Sequence, residues 1–287
     1  MKVFYWSPFI SEVATTFAVA NSIKSIHKFS KNKKIDCKII DVFNEWQPYH
    51  EILSENKIEI IKLKTFLDIK KLPTKGFLKS RFTYVLVLLF SIFELHKKIK
   101  KEEPDYFIIH LISYVPLILM SIFNYKTKFI LRISGFPKMT YLRKLFWKLS
   151  NKNLHKIFCP TKNTKINLIK NNIFSEKKMH NVNDPVIDVK KIMKKKREKI
   201  GSEYNWLNNK RYVLSIGRLS NQKNFIFLIK NFKKILEKSP DINLVILGEG
   251  EDRDYLEQFI KDQNLDKSIF LLGYQENVYP FLNSCLF

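Results

Sequence analysis

Residues 214 to 224, LSIGRLSNQKN, combine one glycine with two cations at a spacing suited to one anion. Gly217 allows a turn and a close approach of the backbone to a ligand. Arg218 offers a planar guanidinium that binds phosphate through two hydrogen bonds, and Lys223 offers a point charge. An apolar stretch precedes these residues, and an amphipathic stretch follows them. The segment therefore predicts a diphosphate-binding site.

Two later segments, LGEGEDRDYL and LLGYQENVYPFL, also place glycine directly after an apolar run. Ligands of open α/β sheets bind beyond the carboxyl ends of the strands, where helix N-termini offer free N–H groups. Three such strand ends predict the rim of one pocket. The candidate residues in these two segments are Gly248, Glu249, Gly250, Gly273 and Tyr274.

Short apolar segments alternate with amphipathic ones along the chain, which predicts parallel sheets with helices on both faces. The first strand-like segments are KVFYW (2–6), CKIIDVF (37–43), IEIIKL (58–63), DYFIIH (105–110), KFILRIS (128–134) and KIFCPT (156–161). YVLSI, NLVIL and IFLL follow after a basic segment. We therefore expect an α/β fold with two doubly wound domains, residues 1–183 and 211–287, joined by a linker at 184–210.

One helix of the second domain is clear from its periodicity. FIFLIKNFKKILEK repeats apolar residues at the spacing of one helical stripe. The stripe consists of Phe225, Leu228, Ile229, Phe232 and Leu236. We expect it to pack on the second sheet.

Composition narrows the class of protein. With 287 residues and 45% hydrophobic residues, the chain has the composition of a folded globular protein. Cys37, Cys159 and Cys285 are far apart and lack metal-ligand spacing, so we expect neither a disulfide framework nor a metal site. The N-terminal residues lack the apolar core of a signal peptide. These features predict a cytoplasmic protein.

The formal charge of +24 indicates an anionic partner. Only seven of the 51 basic residues are arginine, whereas base and phosphate recognition in nucleic acids favours arginine. We attribute part of the lysine excess to codon bias in the gene. Without a functional role, the lysines would simply form a surface exposed to solvent. A membrane surface, a lipid phosphate or a nucleotide remain as partners.

The most apolar run is FTYVLVLLFSIF, from Phe82 to Phe93. About twelve residues are too few to cross a bilayer of roughly 30 Å as a helix. We favour a buried helix. Because lysines flank the run, a helix on a membrane surface is the alternative.

The segments SIGRLSNQKNFIFLIKNF, NLVILGEGEDRDYLEQFI and IFLLGYQENVYPFLNSCLF resemble, in order and spacing, the donor domain of GT-B glycosyltransferases of family four, the glycosyl transferases group 1. The resemblance implies two Rossmann-like domains. It assigns Gly217, Arg218 and Lys223 to the donor diphosphate, and the loops at 248–250 and 273–274 to the nucleotide.

The N-terminal half resembles the same family in outline. PDYFIIHLIS matches the strand that ends in an active-site histidine, which implies a catalytic role for His110. The family's glycine pair after the first strand is replaced by YWSPFISEVATT, so Ser7 and the N-terminus of a helix after Pro8 are the expected phosphate contacts. The family continues with two glutamates beyond the point where this sequence ends, so we expect an incomplete second domain with little turnover of its own.

The resemblance implies transfer of a sugar from a UDP- or GDP-sugar to a saccharide hydroxyl, with retention at the anomeric carbon and without a metal or other cofactor. The basic surface suits a lipid-linked acceptor at the inner face of the cytoplasmic membrane, in lipopolysaccharide or other cell-surface polysaccharide synthesis. Two alternatives stay open: a GT-B nucleotide-sugar 2-epimerase and a basic nucleic-acid-binding protein. We expect no nucleic-acid partner, because no recognised binding motif accompanies the charge.

Overall fold

The computed structural model describes residues 1–10, 15–30, 34–66, 68–72, 77–185 and 187–287. The chain forms two compact units, Met1–Val186 and Ile187–Phe287. Their division lies inside the basic segment 184–210.

The first unit is built on a seven-stranded sheet in the order β3-β2-β1-β4-β5-β6-β7. Every strand pair in it is parallel. The strands are β1 (Lys2–Trp6), β2 (Asp36–Asp41), β3 (Glu59–Lys62), β4 (Tyr106–Ile109), β5 (Lys128–Arg132), β6 (Leu154–Cys159) and β7 (Met179–Asn181). The first six confirm the predicted strands. The sequence did not predict β7, which has only three residues, two of them polar.

Helices cover both faces of this sheet, as predicted. Alternate residues of β1 point to opposite faces: Val3 and Tyr5 join one core, and Phe4 and Trp6 join the other. The helices are α1 (Thr15–Phe29), α2 (His50–Glu55), α3 (Phe77–Glu102), α4 (Tyr114–Ile122), α5 (Tyr141–Ser150) and α6 (Lys162–Lys170). Short 3-10 turns lie at Gln47–Tyr49, Ile69–Lys71 and Glu176–Lys178.

The second unit contains a three-stranded parallel sheet in the order β10-β9-β8. Its elements are α7 (Val189–Lys195), a 3-10 helix (Ser202–Asn209), β8 (Arg211–Ile216), α8 (Phe225–Leu236), β9 (Ile242–Leu247), α9 (Arg253–Asp262), β10 (Ile269–Leu271) and α10 (Tyr279–Ser284). These three strands were also predicted. The stripe of α8 packs as predicted, with Phe225, Ile229 and Phe232 fully buried. Leu207, within the basic segment, packs against Tyr212 and Phe281.

Helix α3 differs from the prediction of a buried helix. Val87 and Leu95 are buried, but Phe82, Leu89 and Phe93 are exposed on its other side. Large apolar residues lie on both the buried and the exposed side of this helix, so the spacing of apolar residues does not show which side faces the core. Across the residues that the structure describes, no helix is both long and apolar enough to span a membrane.

Candidate functional site

Three loops meet at the carboxyl edge of the second sheet, and they hold one another through backbone hydrogen bonds. The N–H of Gly217 donates to the carbonyl of Leu247 (3.0 Å), and the N–H of Gly248 donates to the carbonyl of Gly273 (2.7 Å). The N–H of Leu219 donates to the carbonyl of Glu249 (3.0 Å). The structure thus brings the predicted loops after β8, β9 and β10 together.

Two glycines make this close contact possible. A Cβ atom at Gly248 would lie 1.9 Å from the carbonyl oxygen of Gly217, and one at Gly250 would lie 2.1 Å from that of Leu219. Gly248 also has a φ of +138°, which side-chain-bearing residues rarely adopt. From the sequence, these glycines were predicted to lie at the rim of a pocket. In the structure, the backbone of the neighbouring loop fills the space beside them.

Gly217 and Gly273 have different surroundings. A Cβ at Gly217 would approach the Phe225 ring at 3.4 Å, which is near ordinary van der Waals contact. Gly273 has a φ of +77°, and a Cβ there would lie 2.9 Å from the Glu249 carboxylate. The fold therefore requires a glycine at 273 more strictly than at 217.

Arg218 and Lys223 lie on the loop between β8 and α8, and both side chains are exposed. Neither forms an ion pair with another residue in the part of the chain that the structure describes. The backbone of Lys223 closes a turn onto Ser220 (2.9 Å), and Asn224 follows in the left-handed conformation just before α8. Two cations without partners beside a helix N-terminus are suited to binding an anion.

Glu249 does not extend freely from its loop. Its carboxylate accepts a hydrogen bond from Arg253 (2.6 Å), the first residue of α9. Arg253 also contacts Glu257 (2.9 Å) and donates to the carbonyl of Leu271 at the end of β10 (3.3 Å). No role for Arg253 was predicted from the sequence, although the spacing of four residues between Glu249 and Arg253 was visible there. Tyr274 is 73% exposed beside this cluster.

Ser7 and His110 follow the adjacent strands β1 and β4 of the first unit. The N–H of His110 donates to the carbonyl of Trp6 (2.8 Å), the residue before Ser7. Both side chains are buried, and the Ser7 hydroxyl and both His110 ring nitrogens lack a hydrogen-bond partner among the described residues. The expected helix N-terminus near Ser7 is not directly after Pro8: residues 8–10 are not helical, α1 is described from Thr15, and residues 11–14 lie outside the described part.

His110 is held in its neutral form. Burial, and then the nearby charge of Arg132, lower its pKa to about 3. Its ring stacks on Tyr5, with centroids 6.1 Å apart. Both residues line a mostly apolar cavity of about 490 Å³ with Arg132 and Phe158. A neutral imidazole with both nitrogens unpartnered can donate one hydrogen bond and accept another.

An ion pair between a buried arginine and a half-buried aspartate lies beside His110. Arg132, at the end of β5, donates from Nε to the carboxylate of Asp184 (2.9 Å) and from a terminal nitrogen to the carbonyl of Val182 (3.1 Å). This pair was not predicted from the sequence. An isolated arginine ending an apolar strand, FILR, was the available signal.

A buried acidic group lies just after the carboxyl end of β2. Both oxygens of Glu45 accept from the Val42 N–H (3.1 and 3.2 Å), and one also accepts from the Phe43 N–H (2.8 Å). Burial, and then the hydrogen bond and charge of Asp41, raise the pKa of Glu45 well above its usual value. Across the described residues, no group of three or more histidine, cysteine or acidic side chains is placed to hold a metal ion.

Known proteins resemble this chain in sequence over much of its length. The chain is 31% identical over 219 residues to an uncharacterized glycosyltransferase of Methanocaldococcus jannaschii, covering 71% of this chain and 54% of that protein. It is 31% identical over 183 residues to a Campylobacter jejuni N-acetylgalactosaminyltransferase named for a diphospho-undecaprenol substrate, covering 61% of this chain and 47% of that protein. The chain therefore spans about half the length of these relatives.

Solved structures share the fold. Anabaena HepE, solved with UDP and glucose, superposes with a TM-score of 0.68 at 12% identity, covering 99% of this chain and 72% of HepE. A Neisseria meningitidis UDP-GlcNAc 2-epimerase, solved with UDP-GlcNAc, superposes with a TM-score of 0.59 at 16% identity, covering 99% and 75%. Residues 196–286 match the family model of glycosyl transferases group 1. The match assigns the segment 196–286 to the glycosyl transferases group 1 type, and the fold of the chain is that of the GT-B glycosyltransferases.

Proposed function

We propose that the protein transfers a sugar from a nucleoside-diphosphate sugar to a saccharide acceptor, with retention at the anomeric carbon. The observation that carries the proposal is the pair Arg218 and Lys223, both exposed and without ion-pair partners in the described part of the chain, on a loop inside the matched segment. UDP is the favoured nucleotide, because HepE was solved with UDP and glucose.

In the proposed reaction the two cations stabilise negative charge on the leaving diphosphate. Bond breaking at the anomeric carbon transfers charge to the diphosphate oxygens, and preorganised donors at that position lower the barrier. Arg218 supplies a two-pronged hydrogen-bond donor and Lys223 a point charge, so the proposal needs no metal ion or other cofactor. His110, neutral and without partners for its ring nitrogens, is assigned to hydrogen bonding with the substrate.

We further propose that the acceptor is a lipid-linked saccharide at the inner face of the cytoplasmic membrane. The name of the Campylobacter relative describes transfer onto a diphospho-undecaprenol saccharide, and the net charge of +24 favours anionic lipid phosphates. The pathway class is synthesis of lipopolysaccharide or another cell-surface polysaccharide.

The proposal is tested by incubating the protein with labelled UDP- and GDP-sugars and a set of lipid-linked saccharides. The expected result is a longer lipid-linked product with the donor's anomeric configuration, formed at the low turnover expected from the sequence and read by NMR coupling constants. Arg218→Ala should lose this product. A product of inverted configuration would contradict retention.

A 2-epimerase remains the second candidate, because the Neisseria enzyme shares the fold. Conversion of UDP-GlcNAc into its 2-epimer, either still bound to UDP or released by hydrolysis with water, in the absence of any saccharide acceptor would support that function and overturn transfer. Nucleic-acid binding with a steep salt dependence and no response to nucleotide sugars would overturn both.

A further inference from the structure

The outer surface of two helices of the first unit carries exposed apolar stripes. Those of α3 recur at positions i, i+3, i+7 and i+11, and are between 51% and 74% exposed: Phe82, Val85, Leu89 and Phe93. Those of α5 recur at i, i+3, i+4 and i+7, and are between 37% and 63% exposed: Leu142, Leu145, Phe146 and Leu149. Both spacings place the side chains along one side of their helix. We call these eight residues, with Lys100 and Lys148, the α3–α5 face.

The two helices belong to one layer. Helix α4 packs against both α3 and α5. At one end of the layer the hydroxyl of Tyr114, in α4, donates to the carbonyl of Tyr84 in α3. Arg143 of α5 lies close enough to Arg81 of α3 to feel its charge. Burial lowers the pKa of Arg143, and the positive charge of Arg81 lowers it further. The stripes therefore lie on two helices of one layer that both pack against α4.

Cations accompany the apolar residues. Lys100 is exposed and continues the α3 stripe, and Lys148 is exposed on α5. Neither forms an ion pair with another residue of the described ranges. Helix α5 contains three basic residues and no acidic one. Apolar side chains with lysines beside them fit the boundary between the acyl chains and anionic headgroups of a bilayer.

We propose that the α3–α5 face binds the surface of an anionic membrane. A second copy of the chain is disfavoured as the occupant, because two molecules of net charge +24 repel each other, whereas an anionic lipid surface attracts both the face and the molecule. This proposal rests on the proposed function, which places the acceptor at a membrane, and it names the surface of the protein that makes the membrane contact. The interaction itself does not require turnover.

The test is flotation of the full chain with vesicles of phosphatidylglycerol and phosphatidylcholine, beside vesicles of phosphatidylcholine alone. Leu89→Gln/Leu149→Gln removes one apolar side chain from each helix, and Lys100→Gln/Lys148→Gln removes one charge from each. We expect each double variant to lower the partition coefficient on anionic vesicles about tenfold. The wild type should bind neutral vesicles far less, and anionic ones less at high salt.

Matched controls lie outside the face. Ile166→Gln/Phe227→Gln changes two exposed apolar residues of α6 and α8, and Lys234→Gln/Lys238→Gln removes the same charge from exposed lysines of the second unit. Both should bind within about twofold of the wild type. Equal losses in control and face variants would show that binding does not depend on the α3–α5 face and would overturn the proposal. Face variants that bind like the wild type would overturn it as well.

The outcome separates this proposal from the enzymatic one. Transfer to a short-chain, water-soluble acceptor should proceed equally in the wild type and in Leu89→Gln/Leu149→Gln. If vesicle binding depends on the α3–α5 face but no sugar is transferred to any acceptor, the membrane-binding proposal is supported and the proposed transferase function is rejected. If sugar is transferred but the protein does not bind anionic vesicles, the transferase function is supported and the membrane-binding proposal is rejected.

Discussion

The carbonyl oxygen of Gly217 occupies the place where a side chain would begin at Gly248. The separation from an ideal Cβ is only 1.9 Å, and Gly248 has a φ of +138°. The two loops after β8 and β9 therefore contact each other through their backbones. Arg218 directly follows Gly217 on one loop, and Glu249 directly follows Gly248 on the other. At Gly217 itself, a Cβ would meet its nearest neighbour at 3.4 Å.

This asymmetry predicts different outcomes for two alanine substitutions. Gly248→Ala should lower the free energy of unfolding by about 2 to 4 kcal/mol, because the new methyl group forces the loops apart and its backbone conformation is strained. Gly217→Ala should cost less than about 1 kcal/mol. Urea denaturation of both variants measures the difference. Equal costs would show that the loops relax around residue 248.

Arg218→Ala and Lys223→Ala should each weaken UDP binding while the protein stays folded. Each removes a charged hydrogen bond contributing on the order of 1.5 to 3 kcal/mol, which corresponds to roughly a tenfold to hundredfold loss of affinity. Isothermal titration calorimetry provides the measurement. Arg211→Ala, at the opposite end of β8 in an exposed ion pair with Asp241, is the control and should leave affinity unchanged. Unaltered binding by Arg218→Ala would reject the assigned diphosphate site.

His110 should make the protein less stable as the pH falls. Its folded pKa is about 3, and an unfolded histidine titrates near 6.5, so between these values only the unfolded state gains the proton. Stability from this group is complete above about pH 6.5 and declines by about 1.4 kcal/mol for each pH unit below it. Relative to His110→Gln, the wild type should therefore lose about 2 kcal/mol between about pH 7 and pH 5.

Chemical denaturation at the two pH values gives that difference. His27→Gln replaces an exposed histidine and should show the pH dependence of the wild type. If the wild type and His110→Gln lose the same stability between the two pH values, the ring takes up its proton in the folded protein as readily as in the unfolded one, and the prediction is wrong.

Asp184→Asn should destabilise the first unit because it leaves the buried Arg132 without its carboxylate. Removing one partner of a fully buried pair costs about 3 to 5 kcal/mol, and the 35% exposure of the Asp184 side chain lowers our expectation to about 2 kcal/mol. Asp241→Asn breaks the exposed pair with Arg211 and should cost less than about 1 kcal/mol. Thermal unfolding of the two variants compares them. A smaller effect at Asp184 than at Asp241 would contradict the prediction.

The strands and the α8 stripe were predictable because period-two and helical spacing depend on residues that are close in sequence. The pairing of Arg132 with Asp184 was not, since 52 residues separate them. The exposed side of α3 was missed because Val85, Val87 and Leu89 are all apolar, although two of them face solvent and one faces the core. The meeting of three glycine loops followed from parallel strand topology, but contact between Gly248 and the Gly217 carbonyl depends on atoms that no local pattern describes.

The interlocked glycine loops also bear on how donor preference could be changed by directed evolution. Substitutions at 248 or 250 collide with a neighbouring carbonyl, so a library that randomises them would consist largely of destabilised clones. Arg218, Lys223 and Tyr274 are exposed on the same loops, and their side chains are not needed to hold the backbones together. Mutagenesis confined to these three positions would vary the proposed ligand contacts while keeping the scaffold intact.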